Sequence, residues 1–326
     1  MSFKGHNMMK KIVSVLVAAL MVFAMCSCSA NAGGAGSGKL KVVTTIFPEY
    51  DWVKQIAGSN LDNIELTLLC DNGVDMHSFQ PTANDIIKIS SCDVFVYVGG
   101  ESDEWVEDAI KEAVNKDMKV VNLMDILGSR VVEEEVVEGM EAEDEEEEAY
   151  DEHVWLSLKN AQILVTGIAD AMGKADPDHA SAYTANAENY NKQLASLDAK
   201  FEEAVKNAGK DTLLFGDRFP FRYLVDDYKL NYYAAFAGCS AETEASFETI
   251  VFLADKLDEL GLKAVLTIDG GDQSIAKTII ENTASKDQDI LVMDSMQSTT
   301  SKESAQGVTY ITIMEYNLAT VARALA

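Results

Sequence analysis

Short apolar runs alternate with stretches of helical spacing along most of this chain. Residues 41–47 (Lys-Val-Val-Thr-Thr-Ile-Phe) predict a buried strand ended by Pro48, and 52–58 a helix. Residues 64–69 predict a second strand, 84–89 carry helical spacing, and 93–98 predict a third strand stopped by Gly99 and Gly100. A helix over 104–115 and a strand over 118–123 complete the first half. After Gly209 the alternation resumes: 212–216, 221–228, 231–236, 246–260, 264–268, 274–285, 290–293 and a last helix over 311–325. Apolar strands alternating with helices predict parallel sheets covered on both faces.

Two segments break the pattern. Residues 160–172 predict a helix, and from Pro177 to 207 no further proline and no glycine appears. Tyr183, Ala187, Tyr190, Leu194, Leu197 and Phe201 recur there at three and four residues. That spacing predicts one helix of about 30 residues, roughly 45 Å long, capped by Asp176 and serving as a rigid spacer between two lobes. Before it, residues 133–152 hold thirteen acidic side chains and no basic one. Like charges repel and such a segment has little to bury, so a mobile loop is expected from 133 until order returns at Tyr150. The expected organisation is an N-terminal α/β lobe over 39–176, a linking helix over 177–208 and a C-terminal α/β lobe over 209–326.

The first residues follow other rules. Lys10 and Lys11 precede an apolar run over 12–25, too short to span a bilayer, which needs about 20 residues. Ser27-Cys28-Ser29-Ala30 resembles a lipoprotein cleavage box, with Cys28 fitting better than Cys26 as the acylated residue. Residues 1–27 are therefore read as a signal peptide and 28–38, rich in Gly, Ala and Ser, as a flexible tether. The chain would sit outside the cytoplasm, anchored by lipid to the outer face of the cell membrane. A formal net charge of −28 argues against nucleic acid as a partner. Cys70, Cys92 and Cys239 show no CxxC spacing, so neither a disulfide framework nor a thiolate zinc site is expected from them; Cys70 and Cys92 are expected to be buried.

Chemistry concentrates at two of the four histidines. His77 lies in Asp75-Met76-His77-Ser78-Phe79-Gln80-Pro81, and His153 in Asp151-Glu152-His153-Val154-Trp155-Leu156. Both phrases resemble metal-ligand phrases of the solute-binding lipoproteins that feed zinc or manganese to bacterial ABC importers. The resemblance runs over nearly all of the chain after about residue 39. It implies two α/β lobes joined by a long helix, a divalent ion held in the interlobe cleft, a membrane permease as partner and a monomer without enzymatic activity. It also implies two ligands from the second lobe. Asp294, in Leu291-Val292-Met293-Asp294-Ser295-Met296, matches the family's last ligand phrase. At the remaining position ungapped counting places Arg218, and a guanidinium cannot ligate. Asp217, one residue earlier, is the expected substitute, with Asp269 in reserve. Arg218 would then pair with Asp294 or Asp217. Glu242 and Glu244 read as capping or surface residues.

Two imidazoles and two carboxylates suit zinc first, manganese or iron(II) second. The acidic insertion sits where the family's zinc branch commonly carries a His-rich loop, and would either gather cations or do nothing. Two other classes compete: a zinc metallohydrolase, for which there is no His-Glu-x-x-His helix, and a surface adhesin built on the same fold. The three tryptophans are expected to pack, and His179 to be exposed.

Overall fold

The computed structural model describes residues 38–73, 75–141, 150–240 and 244–326, so the expected signal peptide, His6, Cys28 and Glu242 lie outside the described residues. Residues 39–326 form one compact unit. It contains two four-stranded parallel sheets flanked by helices. The first holds β1 (Leu40–Thr44), β2 (Ile64–Leu68), β3 (Val94–Tyr97) and β4 (Lys119–Asn122) in the order β2-β1-β3-β4. The second holds β5 (Thr212–Phe219), β6 (Asn231–Ala237), β7 (Ala264–Ile268) and β8 (Asp289–Met293) in the order β6-β5-β7-β8. The α/β class, the parallel sheets and the two lobes are as the alternation predicts.

The order of strands matters for function. In each sheet the second and third strands in space are sequence-separated, so the loops at their carboxyl ends diverge and leave a crevice. The cleft that results has a volume of about 520 Å³ and is lined by Asp75 and Ser78 from the first lobe and by Asp217, Arg218, Asp269 and Gln297 from the second.

Along both lobes runs the helix Ala180–Lys206, 27 residues and about 40 Å long. Its buried face is Tyr183, Ala187, Tyr190, Leu194, Leu197 and Phe201, the same six that the spacing singles out. Each large side chain so buried contributes roughly 1.5–3 kcal/mol of transfer free energy. Asn186 Nδ2 donates to Ile56 O at 2.9 Å on the first-lobe side, and Phe201 stacks on Tyr228 of the second lobe at 5.1 Å between centroids. The helix is therefore glued to both lobes.

Some boundaries differ from expectation. Pro48 does not end a strand; it lies in the first turn of the helix Phe47–Ala57, where its missing N–H costs nothing. Asp176 does not cap the spacer. It ends the helix Leu158–Ala175, and its Oδ2 accepts hydrogen bonds from His179 Nδ1 (2.7 Å) and Tyr183 Oη (2.8 Å), while Pro177 sits in the intervening turn. His179 is consequently half-buried rather than exposed. Cys70, Cys92, Trp52 and Trp155 are buried as expected.

The acidic segment gives the main correction. Residues 133–141 do not float free. Glu141 N donates to Ala235 O of β6, Tyr232 Oη donates to Glu135 O, and Arg222 pairs with Glu135 at 3.0 Å. Met140 is 9% exposed, and Gly139 lies so close to the Phe252 ring that a Cβ would collide with it. Charge repulsion loses here because the carboxylates find N–H and guanidinium partners on the second lobe, while Val137 and Met140 supply an apolar anchor. Residues 142–149 lie outside the described part.

Candidate metal site

His77 belongs to a single 3₁₀ turn, Met76–Ser78, in the loop after β2. Asp75 starts that turn: its Oδ1 accepts from His77 N at 3.0 Å. His153 precedes the turn Val154–Leu156, and Asp151 repeats the device, its Oδ1 accepting from His153 N at 2.8 Å. Aspartate two residues before each histidine thus fixes the backbone of both loops by the same short-range hydrogen bond.

The two rings meet. His77 Nε2 and His153 Nε2 lie 3.2 Å apart, with His153 fully buried. On the far side of each ring the other nitrogen has a partner. His77 Nδ1 lies 2.7 Å from Ser102 Oγ, and His153 Nδ1 lies 3.1 Å from Asp151 Oδ1. Ser102 is in turn held by Glu152, whose Oε1 accepts from Ser102 N at 2.9 Å. Gly100 makes room for that carboxylate: at φ 83° it adopts a conformation that favours glycine, and a Cβ there would collide with Glu152. The Asp151 carboxylate, an acceptor, holds the ring proton of His153 on Nδ1. With the His77 proton likewise on Nδ1 toward Ser102 Oγ, both Nε2 lone pairs turn inward, the tautomer that metal ligation requires. The nitrogen separation fits as well, since two imidazoles on a tetrahedral zinc at 2.0–2.1 Å stand about 3.3 Å apart.

Electrostatics sharpen this. Burial, reinforced by the neighbouring His153, pushes His77 down to about 4, so it stays a neutral ligand at physiological pH. Burial also disfavours charge on His153, but the Asp151 and Glu152 carboxylates outweigh it and raise its pKa.

The second-lobe residues divide. Asp217 lies in an irregularity of β5 between Phe215 and Arg218, not at the strand's end. Both of its oxygens are used for stitching the sheet: Oδ1 accepts from Arg218 N (2.9 Å) and Oδ2 from Ile268 N of β7 (3.1 Å). Asp269 is committed likewise, accepting from Ser295 N and Oγ with Oδ1 and from Ser298 Oγ with Oδ2. Asp294 follows β8, and its Oδ1 accepts from Met296 N at 2.8 Å. Burial and then Asp269 push its carboxyl up to about 7. Its loop adjoins the histidines: Trp155 Nε1 donates to Ser295 O at 2.9 Å, linking the residue after Asp294 to the turn after His153. Arg218 pairs with neither Asp294 nor Asp217 through its side chain; its NH2 lies 2.7 Å from Asp75 Oδ2 across the cleft.

Among the described residues, the group whose potential ligand atoms lie within 4.8 Å of one another is His77, His153 and Cys239; Asp294, Asp217 and Asp269 are not in it. Cys239 was not expected at a metal site. It sits in the turn after β6, its N donating to Glu134 Oε1 at 3.0 Å. The sequence signal was a Gly-Cys pair at a strand's carboxyl end, which a search for CxxC spacing passes over. Burial, with the carboxylates of Glu134, Asp151 and Glu152 adding to it, pushes the thiol far up.

Comparison with known proteins points the same way. The family model ZnuA, described as zinc-uptake complex component A, periplasmic, matches residues 42–324. A zinc-binding protein AdcA of Streptococcus pyogenes serotype M3 is 28% identical over 323 residues, covering 96% of this chain and 61% of that protein. The high-affinity zinc uptake system protein ZnuA of Bacillus subtilis is 30% identical over 288 residues, 86% of each chain. Zn(II)-bound AdcA from Streptococcus pneumoniae superposes with a TM-score of 0.70 at 27% identity, over 88% of this chain and 58% of that one. The metal-dependent lipoprotein YcdH from Bacillus subtilis gives a TM-score of 0.71 at 27% identity, over 88% and 100%. This chain thus spans about three-fifths of the streptococcal relatives it matches. No helix among the described residues is long and apolar enough to cross a membrane.

Proposed function

Because the chain belongs to the ZnuA family of zinc-uptake components, we propose that it captures zinc outside the cytoplasm and hands it to the membrane permease of an ABC importer. The observation that carries this reading is the 3.2 Å approach of His77 Nε2 and His153 Nε2, each ring held by a partner on its other nitrogen. Zinc is the cargo, and His77 and His153 are its primary ligands. Asp294 is the carboxylate proposed to close the coordination from the second lobe, since its loop is tied to the His153 turn through Trp155. Asp217 and Asp269 act as struts that hold β5, β7 and β8 in place for it.

The arrangement suits holding rather than turnover. A hydrolytic zinc needs a bound water and a base beside it. Asp151 and Glu152 face the Nδ1 sides, away from the ion. Asp75, whose Oδ1 lies 3.9 Å from His77 Nε2, is engaged by His77 N and by Arg218. Cys28 is proposed as the lipid attachment site that keeps a monomer at the outer face of the membrane, within reach of the permease. The test is uptake of radiolabelled zinc by cells lacking this protein. Uptake should return with the wild-type chain and not with His153→Ala. Equal restoration by both would sink the reading.

A further inference from the structure

Position by position, the second lobe offers poor ligands where the resemblance expects one. β5 supplies Asp217, whose oxygens are taken by backbone N–H groups, and Arg218, a cation paired with Asp75. Its neighbour β6 ends at the same corner of the sheet, and there the chain turns through Gly238 to Cys239. Cys239 Sγ and one nitrogen of each of His77 and His153 lie within 4.8 Å of one another. The sulfur–nitrogen edge of a tetrahedral zinc site is about 3.6 Å, within the 4.8 Å span that already holds the three ligand atoms.

Two neighbours show that this approach is built in. A Cβ on Gly238 would lie 2.8 Å from Phe219 O and 3.0 Å from His153 Cε1, so only glycine lets the turn rest against the imidazole. Glu134, from the acidic segment that packs on this lobe, accepts the Cys239 N–H and fixes the turn. The segment that lies between the two histidine phrases in sequence thereby reaches over to position a residue from the other lobe.

We propose that Cys239 is a thiolate ligand of the zinc site and sets its preference for zinc over manganese. The proposal rests on the reading that His77 and His153 hold the ion. On binding, the S–H bond breaks, a sulfur–metal bond forms and the proton leaves to solvent. Thiolate favours zinc and disfavours manganese, which prefers oxygen donors in octahedral sets. With His77, His153 and Asp294 it gives a four-coordinate site of two nitrogens, one sulfur and one oxygen.

Cobalt(II), a zinc surrogate with visible spectra, provides the test. Metal-free full-length protein is titrated with cobalt, and the near-ultraviolet thiolate-to-cobalt charge-transfer band is recorded beside the visible d–d bands. The wild-type chain should show both. Cys239→Ser should keep the d–d bands and lose the charge-transfer band, and its zinc-over-manganese preference in competition should narrow. Cys92→Ala, altering a buried thiol of the other lobe, should keep both. Cobalt bound by the wild type with d–d bands but no charge-transfer band overturns the thiolate and leaves the zinc-binding reading standing. A charge-transfer band that survives Cys239→Ser also overturns it. Failure of the folded wild-type chain to bind cobalt or zinc overturns both readings together.

Discussion

Arg218 NH2 lies 2.7 Å from Asp75 Oδ2, joining the β5 corner of the second lobe to the turn that carries His77 in the first. Asp75 uses its other oxygen to hold His77 N, so the pair transmits the closeness of the lobes directly to a ligand. Arg218→Leu should therefore weaken zinc binding about 10–100-fold, the usual loss when a group orienting a ligand is removed. Global stability should also fall, by on the order of 1–3 kcal/mol, because both side chains are only 22% exposed and the Asp75 carboxylate is left without its cation. Calorimetric titration and chemical denaturation read the two quantities. Unchanged zinc affinity would show that the pair merely decorates the cleft.

Gly238→Ala probes how tightly the Cys239 turn is seated. The new methyl group must displace Phe219 O or the His153 ring. The expected cost is about 1–3 kcal/mol of stability, as for other overpacked sites, together with a loss of zinc affinity. If denaturation midpoint and affinity both match the wild type, the turn has more room than the structure gives it.

The strand-helix alternation carried the α/β fold, and the spacer helix could be read down to the six residues of its buried face. Both follow from local periodicity, which a sequence displays openly. His77 and His153 were legible because the phrases that carry them resemble a known family's metal-ligand phrases; the aspartate two residues before each proves to fix its loop. What escaped was decided by long-range pairing. Asp217 looks like a ligand in sequence and turns out to hold β5 to β7. Cys239 looks solitary and is brought to the histidines by sheet order, β6 lying beside β5. The 133–141 segment reads as a charged loop because its partners, Arg222 and the backbone around β6, lie about a hundred residues away.

That packing has its own consequence. Met140→Ala should cost about 2 kcal/mol, the low end for truncating a buried methionine. Urea denaturation at neutral pH measures it. A change within a few tenths of a kcal/mol would mean that the segment is not docked on the second lobe.

Glu49 sets an expectation for pH. It lies fully buried at the start of its helix, where Thr45 N and Ile46 N donate to its Oε2. Burial first, then the nearby Asp103 carboxylate, pushes its pKa from 4.5 up to about 8. Between those values the folded chain holds a proton that the unfolded chain has lost. Its contribution to stability is full below about 4.5 and falls as pH rises toward 8. Glu49→Gln cannot titrate, so its stability relative to wild type should improve progressively from pH 5 to pH 8, by on the order of a few kcal/mol. Parallel stability profiles for the two proteins would rule out a protonated Glu49.

The most direct test of the metal site is calorimetric titration of zinc into metal-free wild type, His77→Ala and His153→Ala. Removing either imidazole leaves its partner nitrogen without the second anchor 3.2 Å away. Wild type should bind one zinc ion tightly, and each variant should lose affinity by orders of magnitude while still unfolding cooperatively. Two folded variants that bind zinc as tightly as wild type would contradict the account.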